Sequence, residues 1–327
     1  MQQTNQNKNE TKTKIDLHMH TNASDGDFEL EELVIRAIDA GIKTMAITDH
    51  DIAYNAYGPE LERIAEKYGR VEILSGIELS CMENGTVVHV LGYFSAEVRN
   101  NLQKVEYEIK KTAEAEKIKL EGKVAKLQGA GYNLDFLDVV NNASASGFMN
   151  DTHLIRALLA KKQFSEFDEA DTAVKGPYNC KYPEGYVPTP KQAVQLIKKY
   201  GGVAVLAHPA LIEKKLELQA FVEKLSSAGL DGIETYNCRH DTGQIANYSG
   251  LCDKYDLIET AGSDYHGTIT CPNRRIGTNS KENCSESMDE YDTEKIIHEL
   301  KQKIRKEFVS NDSYSIKQNK RQLCGVN

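Results

Sequence analysis

The stretch IDLHMH, residues 15–20, places His18 and His20 two positions apart at the end of a short apolar run. Because alternate residues of a β-strand point to the same side, both imidazoles are expected on one face of a strand. Six further apolar runs follow, several bounded by glycine and by charged segments, as is typical of buried strands: residues 44–49, 71–79, 87–94, 203–208, 232–236 and 258–263.

Helical patterns separate several of these runs. Residues 29–40 place apolar side chains on one helical face and are followed by Gly41, a residue type that often ends a helix. Residues 59–67, 191–199 and 216–228 repeat the alternation of strand and helix. This order predicts an α/β fold with a parallel sheet or barrel.

One interval breaks the alternation. More than a hundred residues separate Phe94 from Val203, which is far longer than a βα crossover. Residues 98–128 are charged and helical in character, and residues 153–162 predict another helix. We therefore expect a mostly helical subdomain at 96–190, inserted into a barrel formed by 14–95 and 191–309. Residues 1–13 are expected to be a disordered polar tail, and 310–327 a C-terminal extension.

The composition excludes several classes of protein. The 327 residues carry 49 acidic and 40 basic side chains, so the formal net charge is −9. This acidic balance disfavours duplex DNA as a partner. No apolar run approaches the roughly 18 residues of a membrane helix, and the first residues lack a secretory signal. Seven scattered cysteines without a CxxC pair favour free thiols, hence a cytoplasmic protein.

Histidines and carboxylates collect at the predicted strand ends, where parallel strands converge on one mouth. Five of the seven predicted strands carry a histidine at or near the C-terminal end, and several have a carboxylate close by. Mixed ligands of these types suit Zn²⁺, Mn²⁺ or Fe²⁺, and their number predicts two or three divalent ions. The group comprises His18, His20, Asp25, Asp49, His50, Glu78, His89, His208, Asp264 and His266.

Other catalytic motifs are missing from the sequence. It contains no GxxxxGK[ST] phosphate loop, no GxGxxG dinucleotide motif and no GxSxG nucleophile elbow. The histidine-rich strand ends therefore carry the functional prediction.

Six segments together resemble one known superfamily. LHMHT with SDG, ITDHD, GIEL, VHVLGY, LAHP and GSDYHG occur in its order over residues 14–277. The chain is thus similar to the PHP (polymerase and histidinol phosphatase) superfamily, and within it to the stand-alone TrpH-like phosphoesterases. They share the helical insertion and the strand GLDGIE at 229–234.

The resemblance implies a distorted (β/α)7 barrel with a trinuclear metal site, at which a metal-bridging hydroxide attacks phosphorus. It also implies that Asp264 accepts a proton from the attacking water, and it leaves His240 as the candidate that protonates the leaving oxygen. The ligands matched motif by motif are His18, His20, Asp25, His50, Glu78, His89, His208, Asp264 and His266.

The resemblance points to a small phosphorylated substrate, most readily a nucleoside 3′,5′-bisphosphate. One departure concerns the insertion, where NDTH at 150–153 stands in place of the family's Gly-Arg-Pro-His and puts Asp151 where an arginine would meet phosphate. Candidate substrate contacts are His153, Arg239, Arg274 and Arg275, with Arg156 one helical turn further on.

Three alternatives stay open from the sequence. The first is a 5′–3′ exonuclease acting on short 5′-phosphorylated RNA or DNA, with short single-stranded RNA as the partner. The second is a non-catalytic PHP scaffold, which the filled ligand positions disfavour. The third is a histidinol phosphatase, which the insertion and the Ala-His-Pro segment fit less well.

Overall fold

The computed structural model describes residues 14–53, 56, 58–144, 146–277 and 293–307. The predicted tails at 1–13 and 310–327 lie outside these residues. Within the described part of the chain, seven strands form one sheet in the order of the sequence. They are β1 (Lys14–Met19), β2 (Ile42–Ile47), β3 (Glu72–Glu83), β4 (Thr86–Phe94), β5 (Val203–Leu206), β6 (Gly232–Asn237) and β7 (Ile258–Gly262).

The sheet curls until its two edges meet. The backbone N–H of His20, just after β1, donates to the carbonyl oxygen of Tyr265 at 3.0 Å, and Met19 forms a parallel bridge with Tyr265. The result is a nearly closed seven-stranded barrel, which confirms the predicted fold class.

Strand β4 departs from the predicted parallel arrangement. A tight turn at Asn84 and Gly85, both with positive φ, folds β4 back against β3, so β4 pairs antiparallel with both β3 and β5. His89 therefore lies near the start of its strand, opposite Ser80, and not at the C-terminal end as predicted. The reversal still brings His89 to the same mouth, because the start of β4 adjoins the end of β3.

The described helices fall into two groups along the chain. Around the barrel lie α1 (Leu30–Asp39), α2 (Pro59–Tyr68), α8 (Pro190–Lys199), α9 (Leu218–Ser226) and α10 (Thr242–Tyr255), together with the helical residues 293–307. Between β4 and β5 lie α3 (Leu102–Glu108), α4 (Lys110–Gly129), α5 (Phe136–Val140), α6 (Asp151–Ala160) and α7 (Phe167–Lys175).

Helix α8 illustrates how local sequence sets these elements. The Thr189 side chain accepts a hydrogen bond from the backbone N–H of Gln192, and Pro190 occupies the first turn, where its missing N–H costs nothing. Ala193, Val194 and Ile197 form one buried face against the sheet. The helix thus begins and packs as its capping box and apolar spacing predict.

The segment between β4 and β5 has an apolar core of its own. Buried side chains of α4, α6 and α7 pack together, among them Leu120, Leu127, Leu154, Leu158 and Val174. This helical region corresponds to the predicted insertion at 96–190; the proposed domain boundaries themselves stay a prediction. No helix in the described ranges is both long enough and apolar enough to cross a bilayer.

Candidate metal centre

The carboxylate of Glu78 lies at the middle of the barrel mouth. One oxygen, Oε2, is 3.0 Å from Nε2 of His18 and 3.2 Å from Nε2 of His20. The other, Oε1, is 2.9 Å from Nδ1 of His89 and 3.0 Å from Nε2 of His208. Four imidazoles from three strands and the residues that follow them therefore converge on one buried carboxylate. The sequence placed Glu78 at the end of a strand, but β3 continues to Glu83, so Glu78 lies in its interior.

A second group adjoins the first through shared histidines. Nδ1 of His50 lies 3.3 Å from Glu78 Oε2, and Nε2 of His266 lies 3.3 Å from Asp25 Oδ1. The rings of His20 and His266 stack with centroids 4.0 Å apart. All nine predicted ligand residues thus lie in one contiguous cluster, which we call the barrel cluster. Its potential cation sites are His20–Asp25–His50–His266, His18–His20–Glu78–Asp264 and His50–Glu78–His89.

The hydrogen bonding of the barrel cluster fits metal ligands. Both ring nitrogens of His20, Nδ1 of His50 and Nδ1 of His208 are buried without a hydrogen-bond partner. Buried polar atoms are normally paired, so these unpaired ring nitrogens need another partner. Imidazole nitrogen and carboxylate oxygen together form the donor set of Zn²⁺, Mn²⁺ and Fe²⁺ sites. The residues present therefore fit divalent ions.

Neighbouring histidines in the barrel cluster have opposite protonation tendencies. Burial lowers the pKa of His20, but the adjacent carboxylates of Asp264 and Glu78 outweigh it and raise the pKa to about 10. Burial lowers the pKa of His50 to about 3, since Glu78 and Asp25 only partly oppose it. Their ring centroids are 4.6 Å apart, so positive charge on one ring disfavours it on the other.

Asp264 is held by two arginines. Nη2 of Arg239 and Nη1 of Arg274 each lie 2.8 Å from Asp264 Oδ2, while Oδ1 lies 3.4 Å from Nε2 of His20. Burial alone would raise the pKa of Asp264, but Arg274, His266 and Arg239 hold it well below its usual range. Such a carboxylate is better suited to bind a cation than to accept a proton. Arg239 and Arg274, predicted as substrate contacts, thus bind Asp264.

His240 lies outside the groups that could hold an ion. Its Nδ1 is 2.9 Å from the carbonyl oxygen of Thr235, which can only accept, so Nδ1 carries the proton and Nε2 presents a lone pair. Nε2 is buried without a hydrogen-bond partner. Burial lowers the pKa of His240 to about 4. The neutral ring therefore offers an acceptor at Nε2, whereas the predicted proton donor requires the minor, protonated form.

Glu234 is a member of this centre that sequence reasoning did not assign. Its Oε1 lies 2.8 Å from Nδ1 of His18, and its Oε2 accepts a hydrogen bond of 2.8 Å from the backbone N–H of His208. Glu234 therefore fixes the ring of His18 so that Nε2 faces Glu78, which is how outer carboxylates orient ligand histidines. Its only sequence signal was its place in the strand GLDGIE.

Asp49 holds a loop and is absent from the potential cation sites. Its carboxylate accepts hydrogen bonds from the backbone N–H of Thr21 at 2.8 Å, from the Thr21 hydroxyl at 2.7 Å and from the Ser24 hydroxyl at 2.6 Å. These bonds fix the turn that presents Asp25. The sequence grouped Asp49 with the ligands because of its position beside His50, but its contacts are those of a positioning residue.

The segment 150–153 begins α6 beside Asp25. The Asn150 amide donates to Asp25 Oδ2 at 2.7 Å, so this end of the insertion meets the barrel mouth. The Asp151 carboxylate turns the other way and accepts two bonds, 2.8 and 2.9 Å long, from Nζ of Lys123. Asp151 is therefore neutralised within the insertion.

Arg275, another predicted substrate contact, has an exposed side chain.

Comparison with known proteins agrees with this architecture. The family model described as the PHP domain matches residues 16–309. The chain belongs to the PHP domain family. A phosphoribosyl 1,2-cyclic phosphate 1,2-diphosphodiesterase of Eggerthella lenta is 30% identical over 254 residues, which cover 75% of this chain and 90% of that protein. The 5′-3′ exoribonuclease Rnm of Escherichia coli is 28% identical, over 78% of this chain and 85% of its own.

Solved structures show the same PHP architecture. A protein from Bifidobacterium adolescentis, proposed to be a metal-dependent phosphoesterase, matches with a TM-score of 0.71 and 25% identity, over 82% of this chain and 92% of its own. An amidohydrolase from Chromobacterium violaceum matches with a TM-score of 0.64 and 23% identity, over 78% of this chain and 88% of its own. The second likeness shows the fold alone.

Proposed function

We propose that this PHP protein is a metal-dependent hydrolase that removes phosphate from a small phosphorylated molecule, and that its substrate is a nucleotide of the 3′,5′-bisphosphate type. The observation that carries the proposal is the convergence of four imidazoles on the two oxygens of Glu78, with Asp25, His50 and His266 adjoining. Relatives named as a diphosphodiesterase and as exoribonucleases support phosphate-ester hydrolysis.

The residues that would hold the ions are the nine of the barrel cluster, and two or three ions of Mn²⁺, Fe²⁺ or Zn²⁺ suit their donor set. Such ions supply neutralisation of the phosphoryl charge and a water of lowered pKa. Glu78 and Asp264 contribute ionised carboxylates, because their pKa values are held low by the surrounding histidines and arginines. Glu234 keeps His18 in the required orientation.

Proton transfer stays a prediction for two residues. Asp264 was predicted to accept a proton from the attacking water, but its lowered pKa makes it a weak base and favours a role as a ligand. His240 would protonate the leaving oxygen. The tautomer of His240 makes its neutral Nε2 an acceptor, so its role as an acid requires a second proton on the ring. A pH profile of kcat for His240→Gln tests this: because a general acid must be protonated, loss of the alkaline limb supports the acid role, and an unchanged profile contradicts it.

An exonuclease acting on short 5′-phosphorylated RNA is the second candidate. The observation that favours it is the similarity to exoribonucleases of Escherichia coli and Haemophilus influenzae. A non-catalytic scaffold is the third, and the complete barrel cluster counts against it.

The decisive measurement is phosphate release from adenosine 3′,5′-bisphosphate by Mn²⁺-loaded protein, beside an equal sample of His208→Ala. Release by the wild type alone supports the bisphosphate assignment. Release of mononucleotides from a 5′-phosphorylated RNA oligomer, without phosphate release from the bisphosphate, would establish the exonuclease instead. No hydrolysis of either substrate at full metal content would contradict both enzymatic proposals.

A further inference from the structure

The loop at 21–27, which follows β1 and carries Asp25, is held from two sides. On the barrel side, Asp49 accepts the hydrogen bonds described above. The loop is also tightly packed there, because a Cβ atom added to Gly26 would lie 2.3 Å from the carbonyl oxygen of His20. These contacts fix the backbone of the loop, and further contacts set the direction of the Asp25 carboxylate.

On the other side, the insertion donates hydrogen bonds to the same loop. The hydroxyl groups of Ser144 and Ser146 donate to the carbonyl oxygen of Ala23 at 2.9 and 2.7 Å. Nη2 of Arg156 donates to the carbonyl oxygen of Asp25 at 2.8 Å. Donors that lie far away in the sequence therefore bind the loop backbone around the Asp25 side chain.

The Asp25 carboxylate divides its two oxygens between the insertion and the barrel cluster. Oδ2 accepts a hydrogen bond of 2.7 Å from the Asn150 amide and one of 3.2 Å from the Thr152 hydroxyl. Oδ1 lies 3.3 Å from Nε2 of His266 and 3.8 Å from Nδ1 of His20. Asp25 is 3% exposed, so water competes little for either oxygen. Within the described ranges, both hydrogen bonds that Oδ2 accepts come from the beginning of α6.

This division affects a whole cation site, because Asp25 is the one carboxylate in the group His20–Asp25–His50–His266. Neutral imidazoles supply lone pairs without charge, so Asp25 supplies the negative charge of this group. Two hydrogen bonds to Oδ2 restrict rotation of the carboxylate and leave Oδ1 as the oxygen that faces the histidines. Outer hydrogen bonds of this kind hold a ligand in the geometry that an ion requires.

The sequence makes these two contacts a property of this chain. Asn150 and Thr152 stand where the family segment Gly-Arg-Pro-His has glycine and proline, whose side chains carry no hydrogen-bond donor. Asp151 lies between them and turns away toward Lys123. The two positions that gain a donor are therefore the two whose side chains meet the same oxygen of Asp25.

We propose that Asn150 and Thr152 are positioning residues that orient Asp25 for one metal ion, so that occupancy of its cation site depends on the insertion. The proposal rests on the proposed function, because it concerns a ligand of the same metal centre. The beginning of α6 thus does for Asp25 what Glu234 does for His18.

Metal binding tests the proposal without turnover. In Asn150→Ser/Thr152→Val, serine keeps a helix cap and valine keeps a similar shape, while both donors to Asp25 are lost. Calorimetric titration of metal-free protein with Mn²⁺ should show one ion bound about 10- to 100-fold more weakly than in the wild type, and the remaining ions unchanged. The matched control is Asn101→Ser/Thr172→Val, whose side chains donate to backbone carbonyl oxygens, and it should match the wild type.

Combination with Asp25→Asn shows whether the two residues act through this ligand. Asp25→Asn by itself should weaken binding of the same ion, and the triple variant Asp25→Asn/Asn150→Ser/Thr152→Val should lose nothing further, because the contact is already gone. Thr152→Ser keeps the hydroxyl group and should bind Mn²⁺ like the wild type, whereas Thr152→Val should bind one ion more weakly.

Equal Mn²⁺ affinities of the wild type and Asn150→Ser/Thr152→Val would overturn the proposal. A loss in the triple variant that adds to that of Asp25→Asn would also overturn it. If circular dichroism shows that the double variant does not fold, Thr152→Val against Thr152→Ser decides, and equal binding by these two variants contradicts the proposal.

Failure of the proposed function would appear differently. The wild type would bind its ions but hydrolyse neither adenosine 3′,5′-bisphosphate nor RNA, and the Mn²⁺ titrations would still decide the role of Asn150 and Thr152. A wild type that binds no Mn²⁺ would overturn both proposals.

Discussion

Two buried clusters of charged side chains lie on either side of Asn150, and they differ in how their polar atoms are paired. In the barrel cluster, both ring nitrogens of His20 and Nδ1 of His50 and of His208 lack hydrogen bonds. In the insertion cluster, defined as Glu116, Lys119, Lys123, Asp151 and Tyr182, each acid has a lysine nitrogen within 2.9 Å. The first therefore has capacity left for cations, whereas the second is an internally balanced ion network.

This difference shows that a group of buried charged side chains is not by itself the sign of a functional centre. Lys123 is fully buried and would be costly unpaired, so Asp151 serves chiefly to neutralise it. Lys119 lies 2.7 Å from Glu116 and 3.8 Å from Asp151, and it also binds the Tyr182 hydroxyl. Substitutions in the two clusters should separate cleanly: those in the barrel cluster remove metal and activity, and those in the insertion cluster remove stability.

The largest effect is expected for Glu78→Gln. The neutral amide removes the one charge shared by the surrounding imidazoles, so metal content and phosphate release should both fall by more than the roughly 100-fold seen for outer-sphere partners. Metal analysis and a phosphate assay measure this. Glu72→Gln, on the partly exposed beginning of the same strand, is the matched control. Full metal content with normal turnover in Glu78→Gln would refute the assignment.

Glu234→Gln should have a smaller effect on the same centre. Loss of the charged acceptor at Nδ1 of His18 should weaken metal affinity by about 10- to 100-fold, with less change in turnover at saturating metal. Metal titrations that are followed by activity separate the metal affinity from the turnover at saturating metal. Glu259→Gln, on the neighbouring strand, should behave like the wild type. A loss of kcat that excess metal does not restore would contradict a purely positioning role.

In the insertion cluster, Asp151→Asn should lower the free energy of unfolding by about 2 kcal/mol, because Lys123 loses its partner; partial exposure of Asp151 keeps the loss below that of a fully buried pair. Urea unfolding measures the change, and metal content should stay constant. The double variant Asp151→Leu/Lys123→Met should recover stability. Asp171→Asn, in an exposed pair with Lys175, is the control. A loss of bound metal in Asp151→Asn would contradict the separate roles of the two clusters.

The smallest effect concerns the pH dependence of stability. Burial lowers the pKa of His240 to about 4, below the roughly 6.5 of the unfolded chain, so the unfolded state binds the extra proton as the pH falls. His240 should therefore contribute a loss of the free energy of unfolding between pH 7.5 and 5.5, and the change over that range should differ by roughly 1 kcal/mol between the wild type and His240→Gln. Urea titrations at both pH values decide this; identical drops would mean that His240 is not buried as a neutral ring.

Much of the fold could be predicted from the sequence because its signals are local. The capping box and proline of α8 fix where that helix begins, and the strands lie within a few residues of the apolar runs. Most potential ligands follow for a similar reason, since imidazoles and carboxylates near strand ends converge at one mouth of a barrel, although Glu78 lies within β3 and His89 near the start of β4. The direction of β4 was missed for a different reason: Asn84-Gly85 between two apolar runs is itself a local signal for a tight hairpin turn, but the alternation of strands and helices elsewhere favoured a parallel arrangement.

The sequence by itself thus determined the barrel, its helical insertion and the kinds of donor atoms at its mouth. Only the tertiary structure decided which side chains meet: Glu78 between the two groups of histidines, Glu234 behind His18, and Asp151 against Lys123 in place of a substrate. The physical reason is the distance along the sequence over which each kind of interaction acts. Helix caps and apolar periodicity act over a few neighbouring residues, whereas pairing of buried charges joins residues as far apart as His18 and Glu234, which are 216 positions apart, and depends on how the elements pack.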